Sequence, residues 1–193
     1  LNLPNKLTVT RIILSPFFLI FFLIPRSWSH YIALLIFLGA SFTDLYDGYL
    51  ARKTGVTTNF GKFMDPLADK LLTSTAFVAF VAAGYIKTWM VSVIILREFL
   101  ITGLRSLVAY KGVVITPSPL AKWKTGGQMT VVIIILLFTN LKDTFASISN
   151  HPWNQTLVPR VYNGMVFVVM ILTVITGIDY LIKYASSLKG VLR

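Results

Sequence analysis

The sequence predicts an all-α integral membrane protein: six transmembrane helices with a short N-terminal interfacial segment. Three observations predict it. Of 193 residues, 55% are hydrophobic and only 13% are charged, a balance soluble domains rarely reach. Apolar stretches near the roughly twenty residues that a helix needs to cross a bilayer recur along the whole length. The polar interruptions between them are short and carry no low-complexity linker, so residues 1–193 read as a single domain.

Taken in order, the expected spans are residues 7–24, 31–51, 61–83, 89–110, 120–140 and 161–184. Residues 1–10 are also compatible with a short amphipathic helix lying at the membrane surface. No small-residue cleavage site follows the first apolar stretch, so it is expected to stay as a helix and not to be removed as a signal peptide.

The net charge of +11 fits the same picture. Alternating sides from the N-terminus gathers Lys6, Arg11, Arg52, Lys53, Lys62, Lys111, Lys122, Lys124, Lys183, Lys189 and Arg193 on one side. Arg26, Lys87, Lys142 and Arg160 fall on the other. By the positive-inside rule both termini and the loop after the second span are cytoplasmic, in a cell (inner) membrane. The basic residues sit at helix ends and in short loops and form no stripe, so no nucleic-acid partner is expected. A basic membrane face would instead attract anionic headgroups and phosphorylated substrates. His30 and His151 fall outside, as exposed loop residues, and the absence of cysteine excludes disulfides, thiolate metal sites and cysteine nucleophiles.

Four of the seven acidic residues, Asp44, Asp47, Asp65 and Asp69, bridge the second and third spans. Carboxylates in apolar helices are costly, so each is a functional candidate. At 100° per residue Asp44 and Asp47 are about 60° apart and Asp65 and Asp69 about 40° apart, so each pair shares a helix face. Counted from the intervening loop, Asp44 and Asp69 lie about 12 and 15 Å in, and Asp47 and Asp65 about 7.5 and 9 Å in. Two antiparallel helices would therefore bring four carboxylates to matching depths. A divalent cation is their natural partner, and all-oxygen ligation suits Mg²⁺ or Mn²⁺ and argues against zinc. Gly48, Ala51 and Gly61 on the same faces leave room for a ligand or serve close helix packing. An ion path or a structural charge cluster would use the same aspartates.

Written out, Asp44-x2-Asp47-Gly48-x2-Ala51-Arg52-x8-Gly61-x3-Asp65-x3-Asp69 resembles the signature of the CDP-alcohol phosphatidyltransferase family at every fixed position. The resemblance implies a six-helix membrane domain, a homodimer, that uses divalent metal to split the diphosphate of a CDP-linked lipid. Carried over, Asp44, Asp47 and Asp65 would hold metal, and Asp69 would act as ligand, base or both. Gly48, Ala51, Arg52 and Gly61 would line the CDP pocket. Asn5 and Thr8, with Arg11 in the same segment, stand at the family's N-terminal spacing and would join that pocket; an ordinary interfacial lead-in is the alternative. The resemblance implies that Asp69 is the catalytic residue that takes the proton of the acceptor hydroxyl as CMP leaves, and with no His or Cys on the cytoplasmic side a carboxylate is the best base available.

Two further segments resemble the members of the family that use sn-glycerol 3-phosphate. In residues 97–105, REFLITGLR, Glu98 and Arg105 lie about 20° from one line along a helix, whereas Arg97 points about 100° from Glu98. Arg97 would be deep in the membrane and must face protein or water. In residues 121–128, AKWKTGGQ, Lys122, Lys124 and Thr125 open the fifth helix; the family usually has glycine where Ala121 stands. Arg97, Arg105, Lys122, Lys124 and Thr125 are the candidate contacts of the acceptor phosphate. A buried ion-pair network would also explain the first segment, and positive-inside anchoring the lysines of the second.

The expected reaction joins CDP-diacylglycerol and sn-glycerol 3-phosphate into phosphatidylglycerophosphate and CMP. A sister enzyme with another acceptor, making cardiolipin or phosphatidylserine, is the nearest alternative. A divalent-cation transporter is the alternative of another class, although the acidic pattern occurs once and has no counterpart in a second half.

Overall fold

The computed structural model describes the backbone of residues 3–54, 59–110, 119–144 and 153–183, and the side chains of 7–43, 64, 67–68, 70–106, 123–142, 144 and 157–183. The described chain is entirely helical, with six helices: α1 Leu3–Leu23, α2 Ser27–Thr54, α3 Asn59–Ala82, α4 Thr88–Tyr110, α5 Pro119–Thr144 and α6 Trp153–Lys183. Each expected span falls on one of them.

Two boundaries differ from expectation in an informative way. The N-terminal segment forms no element of its own, because α1 runs unbroken from Leu3 to Leu23. Thr8 and Arg11 on it are 0% and 1% exposed, so these two side chains face the bundle interior. His30 is not a loop residue either. It sits in the first turns of α2, half-buried, where its Nε2–H donates to the Phe22 carbonyl at 3.1 Å and satisfies an end carbonyl of α1. His151 lies outside the described residues.

Local chemistry sets the turns. Pro25 disfavours helix at the residue before it, and α1 ends at Leu23. At the end of α3 the Tyr85 N–H donates to the Phe80 carbonyl at 2.9 Å and the Gly84 N–H to that of Val81 at 2.9 Å, with Gly84 at φ 74°. This is a Schellman motif, which places a left-handed residue where glycine alone carries no Cβ penalty. Pro119 opens α5 at a position where the missing N–H has no helical partner to lose.

α1 packs along both α2 and α3; α6 packs on α4 and α5, and α3 also touches α4 and α5. One end of the bundle is fixed by aromatic and amide contacts. Phe22 meets His30 in a tilted contact and Phe80 and Tyr85 edge-on, at centroid distances of 5.3, 5.3 and 6.2 Å. Asn163 of α6 accepts the Lys87 N–H at 2.9 Å and donates to the Tyr85 carbonyl at 3.3 Å. The end of α5 reaches the start of α2, with Asn140 donating to the His30 carbonyl at 3.4 Å. The C-terminal end of α2 and the N-terminal end of α3, which carry the four aspartates, therefore point to the opposite half of the molecule.

Among the described residues two segments, Trp123–Lys142 and Leu157–Lys183, are long and apolar enough by themselves to cross a membrane. Among the described residues Leu7–Leu23, Ser27–Thr43 and Lys70–Ala82 are shorter apolar segments.

Candidate active site

In that opposite half, four helices direct polar side chains to one point. Glu98 of α4 is 4% exposed and lies at its centre. Its Oε2 pairs with Lys70 Nζ of α3 at 3.0 Å. Its Oε1 accepts from Lys124 Nζ of α5, from Arg97 Nη1 at 3.4 Å and from Gln128 Nε2 at 3.2 Å. Gln128 continues to Thr173 Oγ1 of α6 at 3.3 Å, and Arg97 Nη2 donates to Thr176 Oγ1 at 2.9 Å. A buried carboxylate without such donors would bear the full cost of desolvation.

The network is unbalanced in charge. Among the described residues three cations, Lys70, Arg97 and Lys124, surround one carboxylate, an excess of two positive charges in a largely buried cluster. Donors are also left over: a lysine has three and an arginine five, and among the described residues Lys124 spends one and Arg97 two. An anion arriving here would meet charge and unused N–H groups together.

Of the residues predicted from sequence, the structure thus brings Arg97 and Lys124 into contact with a shared partner. Thr125 is partly buried beside them in sequence on α5, whereas Arg105, two turns beyond Glu98 on α4, is exposed. Helical angle placed Glu98 and Arg105 on one side, but only the Glu98 level is closed over by α3, α5 and α6. Thr8 is fully buried on α1, the helix that packs against the two carrying the aspartates. Asp44, Asp47, Gly48, Ala51 and Arg52 fall on α2, Gly61, Asp65 and Asp69 on α3, Asn5 on α1 and Lys122 on α5. Their side chains lie outside the described residues, and among the described residues no three His, Cys, Asp or Glu cluster as metal ligands.

Sequence reasoning missed Lys70, Gln128, Thr173 and Thr176 as parts of this site. Two carried a signal. Lys70 directly follows Asp69, and Gln128 is one helical turn after Lys124, on its face. Thr173 and Thr176 are polar residues in an otherwise apolar helix, and nothing local tells them from threonines that only bond their own backbone.

Comparison with known proteins identifies the family. The CDP-alcohol phosphatidyltransferase domain profile matches residues 1–179. The chain is 40% identical over 200 residues to the CDP-diacylglycerol–glycerol-3-phosphate 3-phosphatidyltransferase of Bacillus subtilis, covering 97% of each protein. It is 39% identical over 153 residues to the Escherichia coli K12 protein of that name, covering 77% of this chain and 84% of the relative. It is also 40% identical over 136 residues to the Rickettsia typhi one, covering 70% and 76%. With a match across nearly its full length, the chain belongs to the CDP-alcohol phosphatidyltransferase family.

Proposed function

We propose that the protein is a single-domain, six-span membrane enzyme that transfers the phosphatidyl group of CDP-diacylglycerol to sn-glycerol 3-phosphate, giving phosphatidylglycerophosphate and CMP. The named relatives support the reaction. The observation that carries the acceptor is the excess of two positive charges around Glu98. A phosphate monoester brings about −1.5 to −2 charges at pH 7, which matches it. Serine, with no phosphate, would leave it unbalanced.

In this reading Lys124 and Arg97 bind the acceptor phosphate, with Thr125 beside Lys124 and with Arg105 and Lys122 nearer the cytoplasm on its path. Asp69, directly before Lys70 on α3, takes the proton of the acceptor hydroxyl. That oxygen then bonds to the phosphorus bearing the diacylglycerol, and the bond from this phosphorus to the CMP oxygen breaks. Asn5, Thr8, Gly48, Ala51, Arg52 and Gly61 hold the CDP group. The carboxylates Asp44, Asp47, Asp65 and Asp69 form an all-oxygen donor set that fits Mg²⁺ or Mn²⁺. Such an ion, when bound, neutralises charge on the diphosphate and on departing CMP.

Several features support the bilayer. The shortest helix has 21 residues, about 31 Å, so each is long enough for a hydrocarbon core of about 30 Å. Exposed apolar side chains repeat at helical spacing, as with Ile171, Ile175, Ile178 and Ile182 on α6. Exposed Trp28 and Trp89 stand at one end of the bundle and Trp123 toward the other, as interfacial anchors do. The Lys and Arg excess puts the Glu98 half toward the cytoplasm in an inner membrane. A homodimer, which the family resemblance implies, would show as twice the chain mass in detergent.

The test is CMP release from CDP-diacylglycerol by purified protein in detergent, with glycerol 3-phosphate, serine, phosphatidylglycerol or buffer as acceptor. Glycerol 3-phosphate is expected to give the fastest release. A rate no higher than in buffer would defeat the assignment.

A further inference from the structure

Arg97 reaches the Glu98 network by crossing α6 at Gly177. A methyl group at Gly177 would stand 2.9 Å from Arg97 Nε, 3.2 Å from Cγ and 3.6 Å from Cδ. The clash runs along the arginine shaft as well as near its tip, so turning the terminal atoms alone does not relieve it. Gly103, Gly126 and Gly164, also within helices, have nothing within 4 Å of the same position. The missing Cβ matters at Gly177 because a side chain from another helix occupies its place.

The guanidinium needs this seat because hydrogen bonds alone do not hold it. Its Nε is buried and has no partner among the described residues. Its bond to Glu98 is long, at 3.4 Å, and the one to Thr176, the residue before Gly177, is 2.9 Å. Shape therefore fixes the shaft against the α6 backbone, one short hydrogen bond orients the fork, and the remaining donors stay open.

We propose that Gly177 is a positioning residue: it seats Arg97 so that the guanidinium is presented to the acceptor phosphate. The proposal rests on the reading of Arg97 given under Proposed function. An alanine methyl lifts the shaft, withdraws the fork from Glu98 and Thr176, and weakens the acceptor while leaving the CDP-lipid pocket unchanged.

Steady-state kinetics of the full chain in detergent test this. Gly177→Ala is expected to raise KM for glycerol 3-phosphate about tenfold, the size of one lost charge-assisted contact, with KM for CDP-diacylglycerol changed by less than about twofold. Arg97→Ala is expected to give a similar rise, and the double variant no more than Arg97→Ala alone, because the methyl then has no shaft to displace. An unchanged KM in Gly177→Ala beside a raised one in Arg97→Ala overturns the role of Gly177. An unchanged KM in Arg97→Ala overturns its contact with the acceptor, and the proposal with it. Should Gly177→Ala fail to fold, removing the Arg97 shaft in the double variant must restore the thermal midpoint; a double variant equally unstable places the clash elsewhere and overturns the proposal.

Discussion

Glu98 accepts from Lys70, Arg97, Lys124 and Gln128, and its loss would leave three cations together in the bundle. Glu98→Gln is therefore expected to destabilise the protein by about 3 kcal/mol, as removal of one partner from a buried ion pair does. A thermal midpoint in detergent equal to that of the unsubstituted protein would contradict it. Asp69→Asn tests the proposed base, since it removes a proton acceptor and keeps the shape. CMP release is expected to fall at least about a hundredfold with folding intact, and an active variant would take the role from Asp69. At this scale the sequence marked Arg97 and Lys124 by type and position, but not the partner they share. Helical angle tells where a side chain leaves its own helix. It does not tell which helix stands opposite, and so Arg105 was aligned with Glu98 although only Glu98 is enclosed.

Among the elements, α3 shows best how local signals set geometry. Its C-terminal Schellman turn aims α4 back along the bundle, which brings Glu98 to the level of Lys70. A Cβ at Gly84 would meet nothing within 4 Å, so the cost of Gly84→Ala is that of a left-handed backbone alone, about 1–2 kcal/mol. The fall in thermal midpoint measures it, and activity per folded molecule is expected to stay unchanged because the turn lies at the end far from Glu98. The ends of the flanking apolar stretches, residues 61–83 and 89–110, marked this turn in the sequence. The continuity of α1 was harder to see. Asn5, Thr8 and Arg11 read equally as an interfacial segment, and burial of Thr8 and Arg11 depends on α2 and α3 closing over them.

For the whole molecule the proposed metal and orientation carry the predictions. Chelation with EDTA is expected to abolish CMP release, with Mg²⁺ or Mn²⁺ restoring it and Zn²⁺ not, because the proposed donors are all carboxylates. Activity surviving exhaustive chelation would contradict this. The chain has no cysteine, so single substitutions label cleanly. Lys87→Cys at the start of α4 is expected to react with an impermeant maleimide from outside intact cells, and Thr54→Cys at the end of α2 only after lysis. The reverse pattern would invert the orientation read from Lys and Arg.

The sequence by itself determined that this chain is helical, where its helices fall, and the family to which it belongs. Those follow from apolar length and from eight signature residues within a short stretch, all of which act or repeat locally. Only the tertiary structure decided that Lys70, Glu98, Lys124 and Thr173 meet, and that Arg97 rests on Gly177. Each of those contacts joins residues of separate helices, and which faces oppose one another is set by the packing of the whole bundle.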